Sequence, residues 1–303
     1  SGSGYRSDYT YTRMDTTLEA YLAYAKDFGK NHIDAMAGYS WQHFYNESTS
    51  ESKKLSDGSV LSKFQNPKSE LFLVSFFGRV NYSYDNRYMV TATVRRDGSS
   101  KFQGKNRWGL FPSVAFGWNV ANEEFLKDNG VLTTLKLRLS WGQTGNQAVV
   151  GNYDSQATYY KNMLGSYYMF GGQVYNPITA IGYNADLRWE TATTWNAGID
   201  FGFLKDRITM GVDVYKREIS DLINHIPVAA LGNLTNYLNT NIGNLESKGF
   251  EYEINAMAID TRDWTWSIGA NVAYNDAKFT KLTASPNDKT GAETGGISGG
   301  VGN

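Results

Sequence analysis

Residues 133–142, TTLKLRLSWG, set Leu135, Leu137, Leu139 and Trp141 at alternate positions, with Lys136, Arg138, Ser140 and Gly142 between and after them. A repeat of two is the repeat of a β-strand, whose side chains point to opposite faces in turn. The alternation returns in RITMGVDVYKRE, where Ile208, Met210, Val212 and Val214 oppose Thr209, Gly211, Asp213, Tyr215 and Arg217. It returns in TWNAGIDFGF (194–203), in GFEYEINA (249–256) and in WTWSIGANVAY (264–274). Looser versions run through 16–26, 32–46, 72–84, 87–96 and 110–120. The pattern predicts ten to twelve long strands and no helix beyond a turn or two.

Strand length and the rhythm of the connections then separate two kinds of β-protein. Strands of soluble domains run to about 5–6 residues, and these are longer. Short links at 27–31, 85–86, 205–206 and 260–263 alternate with long ones at 47–69, 97–109, 142–190 and 220–246. The link at 121–132 belongs with the short set, and its NEEFLKD suits a helical turn. Aromatics gather at strand ends, as Tyr82, Tyr84 and Tyr88, and as Trp264, Trp266 and Tyr274. Outer-membrane barrels combine short turns on one side, long loops on the other and aromatic girdles at both interfaces. No run of 18 apolar residues is present, which excludes transmembrane helices but not strands, since a strand spans a bilayer in about 9–11 residues.

Energy predicts the facing. A Lys or Arg on the lipid face costs about 2–4 kcal/mol at the bilayer midplane, and the wrong face of 135–142 would expose both Lys136 and Arg138. The apolar set is therefore expected toward lipid. Asp34, Arg79, Lys136, Arg138, Asp200, Asp213, Glu251 and Glu253 are expected in the lumen, where they solvate the pore, meet a plug or touch cargo.

Composition adds mainly exclusions. Lys+Arg 29 against Asp+Glu 30 leaves no basic field for nucleic acid. Without Cys there is no disulfide framework, Cys-zinc site or thiol catalysis. His32, His43 and His225 lack a ligand spacing, so no metal is expected, and no cofactor motif is present. Glu251 and Glu253 share a strand face, which could be a carboxylate pair for glycosidic chemistry, but two lumenal charges are the simpler reading. No nucleophile elbow occurs, so no enzyme is expected. The aromatic-rich loop 142–190, with Tyr159, Tyr160, Tyr167, Tyr168 and Trp189, suits an extra hairpin above the membrane. Its rings would bind sugar faces or pack against the loops or a partner. A passive porin and a secreted carbohydrate-binding β-protein stay open as alternatives at this point.

Several ordered segments resemble one family. NRYMVTATVRRDGSSKFQGKNRWGLFPSVAFGWNV (86–120), with RRDGSSKF at 95–102 and NRWGLFPS at 106–113, is similar to the signature region of SusC/RagA-type TonB-dependent outer-membrane transporters. LKLRLSWGQTGN (135–146), the stretch 187–223, NIGNLESKGFEYEINA (241–256) and 264–282 follow in the family's order. The resemblance covers about 16–285. It implies an all-β, transmembrane antiparallel barrel of 22 strands with an N-terminal plug. It also implies import of oligosaccharides or peptides powered through TonB, with a SusD-type surface lipoprotein as a lid. On that reading residues 1–303 are a partial barrel domain, lacking the plug, the first strands, the TonB-contacting segment and the C-terminal strands. SGSGYRSDY has no basic region followed by an apolar one, so the N-terminus of an exported protein is expected upstream of Ser1, and GGISGGVGN reads as an outer loop.

Overall fold

The computed structural model describes residues 4–65, 68–126, 129–161, 168–175, 178–227, 237–281, 285–286 and 293–294. Ten long strands form one antiparallel sheet in strict chain order. They are β1 (Tyr5–Phe28), β2 (Asn31–Lys54), β3 (Ser69–Tyr84), β4 (Tyr88–Ser99) and β5 (Trp108–Asn119). There follow β6 (Leu132–Asn146), β7 (Glu190–Phe203), β8 (Ile208–Ser220), β9 (Asn244–Asp260) and β10 (Thr265–Lys281). Each strand pairs with its sequence neighbours, so the topology is an up-and-down meander. Among the described residues β1 pairs only with β2, and β10 only with β9.

Register turns the alternation of single strands into two continuous faces. One row runs Ile33, Tyr82, Val90, Phe116, Leu139, Ala197, Val214, Phe250, Tyr274 across nine strands. The row one residue away runs His32, Ser83, Met89, Gly117, Arg138, Gly198, Asp213, Glu251, Ala273. The first lies on an apolar face and the second on a polar one, because neighbouring residues of a strand point oppositely. A slip of one residue anywhere would interleave the two faces, so the pattern fixes the register. The apolar face stays uncovered by protein, with Leu139, Trp195, Val214 and Trp266 each at least half exposed.

The apolar band climbs from strand to strand. On β8, β9 and β10 it ends at Val214, Phe250 and Tyr274, and Lys216, Lys248 and Asp276 follow on the same face. On β3 it continues past Tyr82 of that same row through Val80, Gly78, Phe76, Val74 and Phe72. A level band crossing strands at a climbing height is what tilted, staggered barrel strands require.

Tight turns join the strands at one end. Asp85 and Asn86 have positive φ, as do Leu204, Lys205 and Asp206. The 120–131 connection is held instead by side chains. Glu123 accepts from Arg87 Nη1 (2.9 Å), from the Tyr88 hydroxyl and from Trp118 Nε1 (3.0 Å). The helical turn here is a 3-10 turn at Val120–Asn122, which overlaps the expected NEEFLKD only at Asn122, and 123–126 form a bend and simple turns.

At the other end the strands outrun the expected ones. Glu47–Lys54, expected within a loop, continues β2 opposite Tyr5–Thr12 and carries a further strand, Val60–Gln65. ESTSESKK is polar on both faces, so the ladder persists where the apolar period has stopped. Hydrophobic alternation reports where lipid ends, while backbone pairing needs no such contrast.

Candidate functional site

The polar face carries the charges that sequence singled out. Arg79 shares a row with Thr93, Ser113, Gly142, Thr194 and Arg217. Lys136, Asp200, Gly211 and Glu253 form another row, and Arg138, Gly198, Asp213 and Glu251 the one beside it. Asp34 lies on the same face and accepts from Asn81 Nδ2 at 3.0 Å. All eight predicted polar residues therefore share one side of the sheet.

Only three of them are brought together as a tight group. Arg138 donates Nε and Nη2 to the Asp200 carboxylate, both at 2.8 Å. It donates Nη1 and Nη2 to Asp213 at 2.9 and 2.8 Å. A planar guanidinium forked onto two carboxylates is a strong and geometrically specific arrangement. Gly198 makes room for it, since a Cβ there would sit 2.7 Å from Arg138 Cζ. Among the described residues Arg79, Lys136, Glu251 and Glu253 make no ion pair. They are free charges on the polar face.

Above these rows, at the end away from the tight turns, the long connections fold onto one another. Phe102, Phe111, Val150, Leu187, Trp189 and Ile223 form a buried cluster from three connections, seated on the polar face through Phe111. Phe102 and Leu187 are fully buried. Trp189 meets Phe102 at 5.3 Å and Phe111 at 5.6 Å between ring centroids, and its Nε1 donates to Arg107 O at 3.2 Å. Polar groups inside the cluster find partners. Glu190 accepts from Ile223 N (2.7 Å) and Asn146 Nδ2 (2.6 Å), and Ser155 Oγ donates to Lys101 O (2.7 Å). The Lys101 ammonium donates to Gln147 O at 3.1 Å, and burial holds its pKa below the ordinary lysine value.

The aromatic loop separates into buried and exposed parts. Thr158–Lys161 pairs with Ile178–Ile181, and Tyr168–Phe170 with Gln173–Tyr175 around Gly171 and Gly172, both at positive φ. The hairpin foreseen in this loop is present, with glycines where a two-residue turn requires them. Tyr159 is 67% exposed, and Tyr168 is 58% exposed and stacks on Tyr175 at 5.4 Å. Tyr160 lies on the outer strand pair opposite Thr179. Tyr167 falls outside the described residues. Trp189 does not join the exposed rings, because the cluster covers it. Sequence reasoning missed Phe102, Leu187 and Glu190 as organisers of the loops. The signal available was an apolar residue closing the otherwise polar run RRDGSSK.

Comparison with known proteins follows from this architecture. Residues 1–299 match the family described as TonB dependent receptor-like, beta-barrel. The chain is 40% identical over 298 residues to TonB-dependent receptor SusC of Bacteroides thetaiotaomicron, covering 96% of this chain and 30% of that protein. It is 36% identical to TonB-dependent receptor P3 of Formosa agariphila, covering 93% of this chain and 29% of the relative. Among solved structures it superposes on the RagAB peptide transporter with a TM-score of 0.81 at 26% identity, over 97% of this chain and 34% of that one. The chain thus spans about 30% of the length of the curated relatives it matches.

Proposed function

The chain belongs to the TonB-dependent receptor-like β-barrel family, and from that premise we propose that it is part of the wall of an active importer of glycans or peptides, driven through TonB. It is a protein of the Gram-negative outer membrane, and the family is one of receptor barrels rather than enzymes. The observation that carries the transport reading is the pair of continuous faces. The apolar face meets lipid, and the polar face, with Arg79, Lys136, the Arg138–Asp200–Asp213 group, Glu251 and Glu253, lines the lumen. A charge turned to lipid would cost about 2–4 kcal/mol at the midplane, which supports this sense of facing.

The wall is completed by strands beyond β1 and β10. Among the described residues both are edges, and in hydrocarbon each unpaired backbone N–H or C=O costs several kcal/mol, so an open sheet does not persist there. On this reading residues 1–303 are one portion of a 22-stranded barrel whose plug lies elsewhere in the polypeptide. The exposed rings of Tyr159 and Tyr168 stand over the mouth to contact cargo or a SusD-type lipoprotein lid, and the same role is proposed for Tyr160 and Tyr167 from the sequence. Trp189 acts through the loop core, by holding the connections that carry them.

Uptake by cells carrying the full-length gene tests the reading. Fluorescent oligosaccharides and oligopeptides are expected to accumulate, and collapse of the inner-membrane proton gradient is expected to stop it. Uptake that continues after collapse would mean a passive pore.

A further inference from the structure

We propose that the outer edge of the apolar face, over β6–β9, binds one molecule of phosphatidylethanolamine. An acyl chain lies in a hollow of the sheet, and the headgroup sits on two rows of charge beyond it. The inference goes beyond the importer reading and takes from it only that the apolar face meets lipid.

A hollow of about 530 Å³ interrupts the apolar face. Its floor is Ala197, which stands in one row between Leu139 and Val214. A single methyl group among larger side chains leaves a dip. Toward the long connections, Trp141 and Trp195 close the dip as a pair across β6 and β7, with ring centroids 5.9 Å apart. Lys216 continues that rim on β8, in register with Trp195. Leu139, Trp195 and Val214 are each at least half exposed, so a chain can enter from the bilayer. Tryptophan gathers where hydrocarbon meets headgroups, which sets the hollow in hydrocarbon and the Trp195–Lys216 row at the headgroups.

The order of charge selects the headgroup. On β8 and β9 the inner row pairs Lys216 with Lys248, and the outer row pairs Glu218 with Glu246. Like charges directly opposite each other on neighbouring strands repel, and an anion between them relieves it. Lys216 Nζ reaches Glu218 at 2.6 Å and Glu246 at 3.2 Å, while among the described residues Lys248 makes no ion pair. A phosphate over the inner row meets both ammonium groups. Two residues farther out, about 6.7 Å along a strand, the carboxylates are placed to take a cation. On β10 the order is reversed, with Asp276 opposite Lys248 and Lys278 opposite Glu246. Three lysines and three carboxylates therefore cancel, and the patch as a whole draws no net anion. It fits a zwitterion with phosphate next to hydrocarbon and a cation beyond. The ammonium of phosphatidylethanolamine also brings N–H donors for Glu218 and Glu246, which a choline headgroup lacks.

The test uses the full-length protein in detergent, delipidated and titrated with single lipids, with bound lipid counted by native mass spectrometry. Wild type is expected to hold one phosphatidylethanolamine more tightly than phosphatidylcholine, phosphatidylglycerol or lipid A. The double variant K216Q/K248Q is expected to lose about tenfold in affinity, the worth of a lost hydrogen bond to a charged group. A197L fills the hollow with every charge in place, and is expected to weaken binding by a few fold as part of the chain loses contact. E218Q is expected to erase most of the preference over phosphatidylcholine. D276N, on the reversed strand, is expected to change nothing, and heat-modifiable gel mobility is expected unchanged in all variants. Tighter binding of phosphatidylglycerol or lipid A by wild type, or an equal loss in D276N, overturns the proposal. Equal retention in wild type, K216Q/K248Q and A197L also overturns it, and leaves the lipid facing standing. Wild type that holds no lipid of any class contradicts the site and the facing together.

Discussion

The Arg138 fork shows how much one residue does on the polar face. It bridges β7 and β8 through Asp200 and Asp213 from its own strand β6, so three strands share one cation. R138M would remove the forked partner of two carboxylates on adjacent strands and leave Lys136, opposite Asp200, as the neighbouring cation on this face. The group is about a third exposed, so water screens part of that loss. The expected cost is about 1–3 kcal/mol, read as a lower urea midpoint for unfolding from lipid vesicles. An unchanged midpoint would show the fork to be ornamental to stability. G198A is expected to disturb the same group sterically and to cost a similar amount. At the turn end, Glu123 is held below the usual carboxylate range, first by the Tyr88 hydroxyl and then by Trp118. A lowered carboxylate pKa adds stability above the unfolded value, and that stability is lost as pH falls through the folded one. The 120–131 connection is therefore expected to keep its amide protection at pH 6 and to lose it only in acid below the ordinary glutamate range, measured by hydrogen exchange.

At the scale of elements, the strands and the loops answer to different physics. The spanning strands were legible because one face meets an apolar surrounding and the other a polar one, which imposes period two on TTLKLRLSWG and RITMGVDVYKRE alike. Above the band the contrast vanishes, so Glu47–Lys54 gave no sign of being strand although its backbone pairs in full. The loop core was less legible still. Phe102, Leu187 and Ile223 come from three different connections and meet Phe111 of the sheet, and no local period links them. Aromatic content alone grouped Trp189 with Tyr159 and Tyr168, but contact in three dimensions divides them. F102A should separate loop from wall. It removes a fully buried ring, at a cost of about 3–5 kcal/mol, in a unit outside the sheet. The long connections are expected to become protease-sensitive while the sheet keeps its heat-modifiable mobility. Equal sensitivity in wild type and F102A would mean that the cluster does not hold the loops.

For the molecule as a whole, everything depends on the sense of the two faces. Ten strands in register produce an apolar surface through Leu139, Val214 and Phe250, and a polar one through Arg138, Asp213 and Glu251. Family, location and transport all presuppose that the first meets lipid and the second water. Spin labels placed singly along 208–215 of the full-length protein in vesicles read this directly, through collision with oxygen, which concentrates in lipid, and with a water-soluble nickel chelate. The account predicts oxygen maxima at 208, 210, 212 and 214, with nickel maxima at 209, 211, 213 and 215. The opposite phase, or an accessibility that does not alternate, would contradict it.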